Sequence, residues 1–63
     1  MKIMFFSEDF KDGFEVDWPV IPHTGEFVSF RFGGGTSGLP VGNVEYVCDA
    51  DGKLTECKVD LTY

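Results

Sequence analysis

The stretch NVEYVCDADGKLTECKV, Asn43 to Val59, has the pattern of two β-strands joined by a tight turn. Apolar and polar residues alternate on both sides of Asp51-Gly52, a dipeptide typical of β-hairpins. A two-residue or a four-residue turn at this point places Tyr46 opposite Cys57. A three-residue loop would slip the pairing by one residue and mix the two faces, so the pattern excludes it. The stretch therefore predicts an antiparallel β-hairpin near the end of the chain.

This register gives the hairpin one core face and one solvent face. Glu45 lies opposite Lys58 on the solvent face, and such an opposite-charge cross-strand pair agrees with the register. Cys48 and Cys57 become diagonal neighbours, about 7 to 8 Å apart between Cα atoms, which is at or beyond the limit for a disulfide. We therefore expect free thiols. The predicted core face consists of Val44, Tyr46, Cys48, Thr55, Cys57, Val59 and Leu61.

Two segments upstream of the hairpin also have strand character. Lys2–Phe6 is short and β-favourable, and in residues 26–32 the side chains of Val28, Phe30 and Phe32 alternate toward the predicted core. These segments predict the first strand of the chain and a strand that precedes the hairpin.

An irregular acidic segment connects these two strands. Residues 7–13 favour either one short helical turn, capped by Ser7 and stopped by Gly13, or an acidic loop. Pro19 and Pro22 push the residues before them toward extended conformations. We therefore expect an extended arm that leads into the next strand.

The segment RFGGGTSGLP, Arg31 to Pro40, contains the G-x-G-x-x-G spacing of a dinucleotide-binding turn. Such a turn needs a helix directly after it, whose N-terminal amides bind the pyrophosphate. Leu39 and Pro40 cannot open that helix, and they also stand where a Walker-type phosphate loop requires Lys and Ser or Thr. We therefore expect no nucleotide cofactor and interpret residues 33–42 as a long, mobile connection between two strands.

Sixty-three residues form one domain at most, residues 1–63, and four or five short strands in so small a chain must curl to cover their apolar face. We predict an all-β fold, a small antiparallel barrel or half-open roll. The run PHTGEFVSF, with Pro22, Gly25, Glu26 and Val28, resembles the P-x-x-G-[DE]-x-V strand start of SH3-like small barrels, including Tudor and KOW-type domains. GNVEYV resembles the G-x-V strand of the same barrels. The resemblance implies an SH3-like fold and no particular activity.

The charge of the chain limits the partners that it can bind. Eleven acidic residues against five basic ones give a net charge of −6, which opposes binding to phosphates. We therefore expect neither nucleic acid nor a membrane as a partner. The opening MKIMFF is followed at once by acidic residues rather than by a full apolar signal segment, which favours a cytoplasmic protein.

The residue types that carry catalysis or bind metals are few and scattered. The DADG segment suits a tight turn, because Lys53 and Leu54 occupy positions at which a calcium loop requires Asp or Asn and then Gly. A structural zinc ion normally takes four Cys or His ligands, and the chain has three such residues without paired spacing. His23 is the one histidine, and a barrel of this length leaves no cavity for acid-base chemistry. We expect no metal, no cofactor and no enzyme.

The acidic arm, residues 8–18, is the candidate partner-binding site. Its carboxylates alternate with aromatic side chains, a combination similar to the one with which SH3 domains bind basic, proline-rich peptides. In the alternative interpretation, the aromatic side chains cap an open end of the barrel. The predicted contact residues are Phe10, Asp12, Phe14, Glu15, Asp17 and Trp18.

These observations favour a non-catalytic protein-interaction or accessory module with an acidic surface. Its expected partner is a basic or aromatic-rich protein or peptide, or a second copy, with the chain itself a monomer or weak homodimer. One alternative is an acidic imitation of DNA that inhibits a nucleic-acid enzyme. Another is a nucleic-acid-binding SH3-like domain, which the resemblance permits and the charge disfavours.

Overall fold

The computed structural model describes residues 1–62, with the backbone alone at Phe32, and this part of the chain contains strands and no helix. The strands are β1 (Lys2–Phe6), β2 (Phe14–Asp17), β3 (Phe27–Phe32), β4 (Gly35–Cys48) and β5 (Leu54–Leu61). They form one curled sheet in the order β2, β1, β5, β4, β3, which makes a half-barrel. The prediction of a small all-β roll of four to five strands is therefore confirmed. The orientation predicted for the Phe32 side chain lies outside the described residues.

The sheet is mixed rather than wholly antiparallel. β1 runs antiparallel to β2 but parallel to β5, with Ile3 beside Cys57 and Phe5 beside Val59. Alternation of apolar residues fixes which face of a strand is buried, but it is the same whichever way the neighbouring strand runs. The direction of the β1–β5 pair was therefore not encoded in the pattern that predicted these strands.

One buried cluster on the concave face of the sheet holds the fold together. Ile3 and Phe5 of β1 are fully buried, and their neighbours on β5 are buried with them. This confirms the first strand that was predicted and the inward face predicted for Val28. The cluster consists of Ile3, Phe5, Val28, Val41, Cys57, Val59 and Leu61.

The expectation of a long, mobile glycine-rich connection is wrong. Phe32 pairs directly with Gly35, so only Gly33 and Gly34 form the turn, and β4 continues without interruption from Gly35 to Cys48. The first half of β4 pairs with β3 and the second half with β5. The segment is thus a regular strand of the sheet that links β3 to β5.

The presence of Pro40 inside this strand has a geometric reason. The Val41 N–H donates to the Glu26 carbonyl oxygen at 2.7 Å, so these two residues stand at a hydrogen-bonded position of the ladder, although Gly25 rather than Glu26 donates the return bond. Hydrogen-bonded and non-hydrogen-bonded pairs alternate along an antiparallel ladder, so the next pair, Phe27 with Pro40, needs no N–H from the proline. Proline therefore costs the β3–β4 ladder no hydrogen bond.

Gly38 allows β3 and β4 to pack closely. A Cβ atom at this position would lie 2.7 Å from the Ser29 Oγ and 2.8 Å from a ring carbon of Phe27. Any larger residue would push these side chains aside. The glycine is therefore part of the packing of the sheet and not slack chain outside it.

The predicted register of the β4–β5 hairpin is confirmed at its centre, but the predicted turn length is wrong. Tyr46 pairs with Cys57 and Glu45 with Lys58. The Asp49 N–H donates to the Lys53 carbonyl oxygen at 2.9 Å, so the turn is the three-residue loop 50–52 that the pattern excluded. A register shift between Val47 and Cys48 keeps the two faces from mixing. The turn is closed by Asp49, whose Oδ1 accepts the N–H of Asp51 at 2.9 Å and the N–H of Lys53 at 3.0 Å. The Asx geometry explains why the DADG segment makes a turn.

The core face predicted for this hairpin is only partly buried. Cys57 and Val59 are fully buried, whereas Tyr46 is 57% exposed and Cys48 and Thr55 are also exposed. The outer end of the hairpin extends beyond the strands that would cover it, in a molecule 42 Å long and about half as wide. Burial on the concave face therefore ends between Cys57 and the turn.

Residues 7–13 form bends and a turn, so the acidic loop is found and the short helical turn is not. The Ser7 Oγ accepts the Asp9 N–H at 3.1 Å, and the Phe10 carbonyl oxygen accepts the Gly13 N–H at 3.1 Å. The sequence analysis missed the strand that follows, β2, because four residues are too few for alternation to stand out.

The two cysteines are free thiols in different environments, and we expect only one of them to react in the native protein. Cys48 is exposed and Cys57 is buried, and burial raises the pKa of the Cys57 thiol. The thiolate is the reactive form. An aromatic disulfide reagent at mildly alkaline pH should therefore modify one thiol per chain until denaturant is added. Cys48→Ser should remove this fast reaction, and a second fast thiol in the native protein would contradict the fold.

Candidate functional site

The three aromatic residues predicted to bind a partner lie together, but they pack on the core. Phe10, Phe14 and Trp18 surround Phe30 of β3, with ring centroids 5.5, 5.2 and 6.3 Å from its ring. Trp18 also contacts the buried Phe5 at 4.9 Å. Phe10 and Trp18 are half-buried and Phe14 is 40% exposed. The aromatic residues thus cover the open side of the half-barrel, as the alternative interpretation expected.

The carboxylates of the acidic arm point to a different surface. In β2, Phe14 pairs with the buried Phe5 on the concave face, so Glu15 and Asp17 lie on the opposite face. Both are exposed, and so is Asp12. Alternation along the strand therefore separates the acidic side chains of β2 from the aromatic ones.

The charges of β2 already have partners in the chain. The Glu15 carboxylate lies 3.7 Å from the Lys2 ammonium, and the Asp17 Oδ1 accepts a hydrogen bond of 2.7 Å from the N-terminal amine. The same amine donates to the Trp18 carbonyl oxygen at 3.1 Å. These contacts fasten β2 to the start of β1.

The contact with the amine lowers the pKa of Asp17, through the hydrogen bond first and the positive charge second. A carboxylate with a depressed folded-state pKa adds stability above its unfolded value of 3.8, and this stability is lost as pH falls through the folded value. We therefore expect Asp17→Asn to reduce the decrease in the free energy of unfolding as the pH falls. Asp12→Asn removes the same charge elsewhere and should not change that decrease. Side-chain carboxyl NMR titration checks the cause, and an ordinary pKa at Asp17 would refute it.

An open groove of about 710 Å³ lies between β3 and the arm that follows Trp18. Two of its lining residues are strongly exposed and apolar, Val20 at 68% and Phe27 at 61% exposure. The half-buried ring of Trp18 and the buried Val28 lie deeper. The lining residues are Trp18, Val20, Ile21, Pro22, His23, Glu26, Phe27, Val28 and Ser29.

The far wall of the groove is held in place by a short hydrogen-bonded turn. The His23 N–H donates to the Glu26 Oε1 at 2.6 Å, and the Glu26 N–H donates to the His23 carbonyl oxygen at 3.0 Å. Gly25 then joins the arm to the sheet by donating to the Val41 carbonyl oxygen at 2.9 Å. Ile21 packs against the core cluster. The arm therefore has a defined position over the concave face.

The groove exists because the sheet does not close, in keeping with the half-open roll that was one of the predicted architectures. In a closed barrel, the space between the two edge strands would be filled by a ladder of hydrogen bonds. Here β2 and β3 are the two ends of the strand order and do not pair with each other. The groove occupies part of the gap that this leaves.

β3 presents an unpaired backbone edge beside the groove. Because Glu26 and Val41 stand at a hydrogen-bonded position of the ladder, the backbone groups of Val28 and Phe30 face β4. Those of Phe27, Ser29 and Arg31 therefore point to the other side, where residues 1–62 supply no further strand. Three N–H and three C=O groups are available along this edge.

The electrostatics of the groove are simple. Glu26 is the one formally charged residue among those that line it, and the chain as a whole carries a net charge of −6. An apolar groove with a carboxylate at one end, on an acidic protein, favours an occupant that is apolar and positively charged.

Trp18 is the one predicted site residue that also lines the groove. The sequence analysis missed Val20, Phe27 and Ser29 as lining residues. One signal was present in the sequence, since Phe27 shares the solvent face of its predicted strand with Ser29 and Arg31. A large aromatic residue on a solvent face marks a contact surface more often than an exposed aliphatic residue does.

Comparison with protein-family models, with curated proteins and with solved structures found no match to this chain. Within residues 1–62, no three side chains of His, Cys, Asp or Glu are grouped so that they could hold a metal ion. The same residues include no helix suited to crossing a membrane. The candidate site therefore rests on the geometry of the groove and of the β3 edge.

Proposed function

We propose that this chain is a non-catalytic, cytoplasmic protein-interaction module that binds a basic segment of a partner protein in the groove beside β3. The observation that carries the proposal is the exposed apolar pair Val20 and Phe27 among the residues that line the groove, beside the half-buried Trp18. Exposed apolar side chains cost free energy in water, and burying them against a partner recovers it. Aromatic residues in such positions commonly dominate binding.

The charge of the chain supports a basic partner. With a net charge of −6, the field of the whole protein attracts a positively charged segment and repels an acidic one. Glu26 supplies a carboxylate among the lining residues, and Trp18 supplies a ring against which an apolar side chain of the same segment can pack. The predicted arm site and the groove share this tryptophan.

Kinship with Tudor and KOW-type barrels is part of the proposal and rests on two sequence motifs alone, the strand start and the GNVEYV strand. Gly25 of the strand start adopts φ +92° and joins the arm to Val41, so its glycine is needed here. The parallel β1–β5 pair departs from the antiparallel order that the motifs led us to expect.

The test uses two acetylated hexapeptide amides, one with three Lys-Val repeats and the other with three Glu-Val repeats. We expect the basic peptide to change the Trp18 fluorescence and to bind measurably by calorimetry, with an affinity that falls as salt rises. The acidic peptide should not bind. Phe27→Ser should weaken the basic peptide about tenfold or more.

Tyr46→Ser is the matched control, because Tyr46 is about as exposed as Phe27 but lies outside the groove. Equal losses of affinity in the two variants would indicate nonspecific hydrophobic binding and would overturn the proposed site. Absence of binding by both peptides would overturn a basic extended partner altogether.

A second proposal is the acidic imitation of DNA, and the convex face of the sheet is the observation in its favour. By the strand registers, five carboxylates share this face, interrupted by Lys2 and Lys58. A decoy would displace DNA from a nucleic-acid enzyme and bind no nucleic acid itself, whereas a nucleic-acid-binding domain would bind DNA or RNA more weakly as salt rises. The carboxylates are Glu15, Asp17, Glu45, Glu56 and Asp60.

A further inference from the structure

We propose that the partner segment binds by adding a sixth strand to the sheet along β3, so that it occupies the gap that leaves the barrel half-open. This inference rests on the proposed function and specifies how the groove recognises its occupant. The occupant is an extended, basic peptide segment in which apolar side chains alternate with Lys or Arg.

The β3 edge has the backbone groups that strand addition requires. Phe27, Ser29 and Arg31 direct three N–H and three C=O groups away from β4, at the spacing of alternate residues. A peptide that pairs with this edge gains main-chain hydrogen bonds from any sequence able to extend. The edge therefore supplies affinity without choosing the sequence.

The groove determines which peptide sequences can bind. Phe27, Val28 and Ser29 belong both to the edge and to the lining of the groove, so a strand added at β3 lies along the groove. Its alternate side chains then point toward Trp18 and Val20 or away from them. Apolar residues fit the first set, and the cations of the second set are favoured by the net charge of −6 of the chain.

The other open edge is less suited to strand addition. β2 has only four residues, and the Trp18 N–H bond to the Met1 carbonyl oxygen sets its phase so that Glu15 and Asp17 carry the outward backbone groups. Short length and charged side chains are the features with which proteins protect sheet edges. β3 has six residues and a phenylalanine on its outer face.

A second copy of the chain is a less favourable occupant than a basic peptide. Two copies would bring two net charges of −6 together, whereas a basic segment neutralises one of them. Charge complementarity therefore selects the peptide among the segments that could pair with β3.

Amide hydrogen exchange with the Lys-Val hexapeptide locates the added strand. We expect the amides of Phe27, Ser29 and Arg31 to become protected on binding, while those of Val28 and Phe30 keep the protection that the β4 ladder already gives them. Protection at Glu15 and Asp17 instead would overturn the choice of edge. The same protection in a dimer without peptide would overturn the peptide in favour of a second copy.

N-methylated peptides test the hydrogen bonds without changing the protein. One version carries N-methyl groups on the three valines and the other on the three lysines. In an added strand, only alternate residues direct their N–H and C=O groups to β3, so one version should lose about tenfold or more in affinity and the other should bind nearly as the parent does. Equal affinities of the two versions would overturn strand addition.

Ser29→Pro tests the same point from the side of the protein. It removes one outward N–H but no bond of the β3–β4 ladder, and we expect weaker binding than in Ser29→Ala, which keeps the N–H. If Ser29→Pro does not fold, the methylated peptides still decide. If the peptides change the Trp18 fluorescence but both methylated versions bind equally well, strand addition is refuted and the proposed function is not. If the unmethylated peptide does not bind, both proposals are refuted.

Discussion

Phe5→Ala should remove a large part of the free energy of unfolding of the domain. Phe5 is fully buried, and its ring contacts the rings of Trp18 and Phe30 at centroid distances of 4.9 and 5.3 Å. Truncation of a buried phenylalanine costs roughly 3 to 5 kcal/mol, and a domain of this length has a total free energy of unfolding of roughly 3 to 9 kcal/mol. Urea denaturation followed by Trp18 fluorescence measures the loss.

Phe6→Ala is the matched control for this substitution. Phe6 is the next residue of the same strand, lies on the convex face and is half-buried. We expect less than half of the effect of Phe5→Ala. Similar losses at the two positions would mean that β1 does not have one buried face, and the half-barrel would then be wrong.

Phe30→Ala should have the second largest effect, because this ring joins the two sides of the open half-barrel. It lies within 6.3 Å of four other aromatic rings, three of which come from the segment between Phe10 and Trp18. Lost burial and lost ring contacts together should cost about 2 to 4 kcal/mol. The emission of Trp18 should also shift to longer wavelength as its ring gains water.

Phe27→Ala provides the comparison on the same strand. Phe27 faces outward and is 61% exposed, so we expect a loss of stability below about 1 kcal/mol. The same variant should weaken binding of the Lys-Val hexapeptide, whereas Phe30→Ala acts first on folding. If Phe27→Ala destabilised the protein as much as Phe30→Ala, Phe27 would be a structural residue and the groove would lose its main contact.

The β4–β5 hairpin could be predicted from local information because two independent constraints agree there. Asp51-Gly52 marks the place of the turn, although not its length, and alternation together with the Glu45–Lys58 pair fixes the register. The predicted burial of Tyr46 was wrong, because the other strands must extend far enough to cover a face before its side chains are buried. Local pattern specifies a face, and tertiary structure decides its exposure.

The glycine-rich segment was wrongly predicted to be a mobile connection, and the reason is physical. Glycine is unfavourable in strands on average, but Gly38 lies where Ser29 and Phe27 of the neighbouring strand leave no space for a Cβ atom. That requirement is visible only once β3 and β4 are aligned. Pro40 similarly becomes compatible with a strand only when the phase of the ladder is known.

The candidate site was predicted in its chemistry more than in its position. An acidic, aromatic surface was expected, and Trp18 was named, but alternation along β2 sends Glu15 and Asp17 to the face opposite Phe14. The groove exists because β2 and β3 do not pair, which is a property of the whole sheet. Residues such as Val20 therefore gain a role that their local sequence does not reveal.

The account depends most on the statement that β3 is an open edge in the unbound protein, and amide hydrogen exchange of β3 measures this directly. We predict an alternating pattern, with slow exchange at Val28 and Phe30 and fast exchange at Phe27, Ser29 and Arg31. Uniformly slow exchange along β3 would show that another strand already covers this edge, and it would contradict the half-barrel and both proposals built on it.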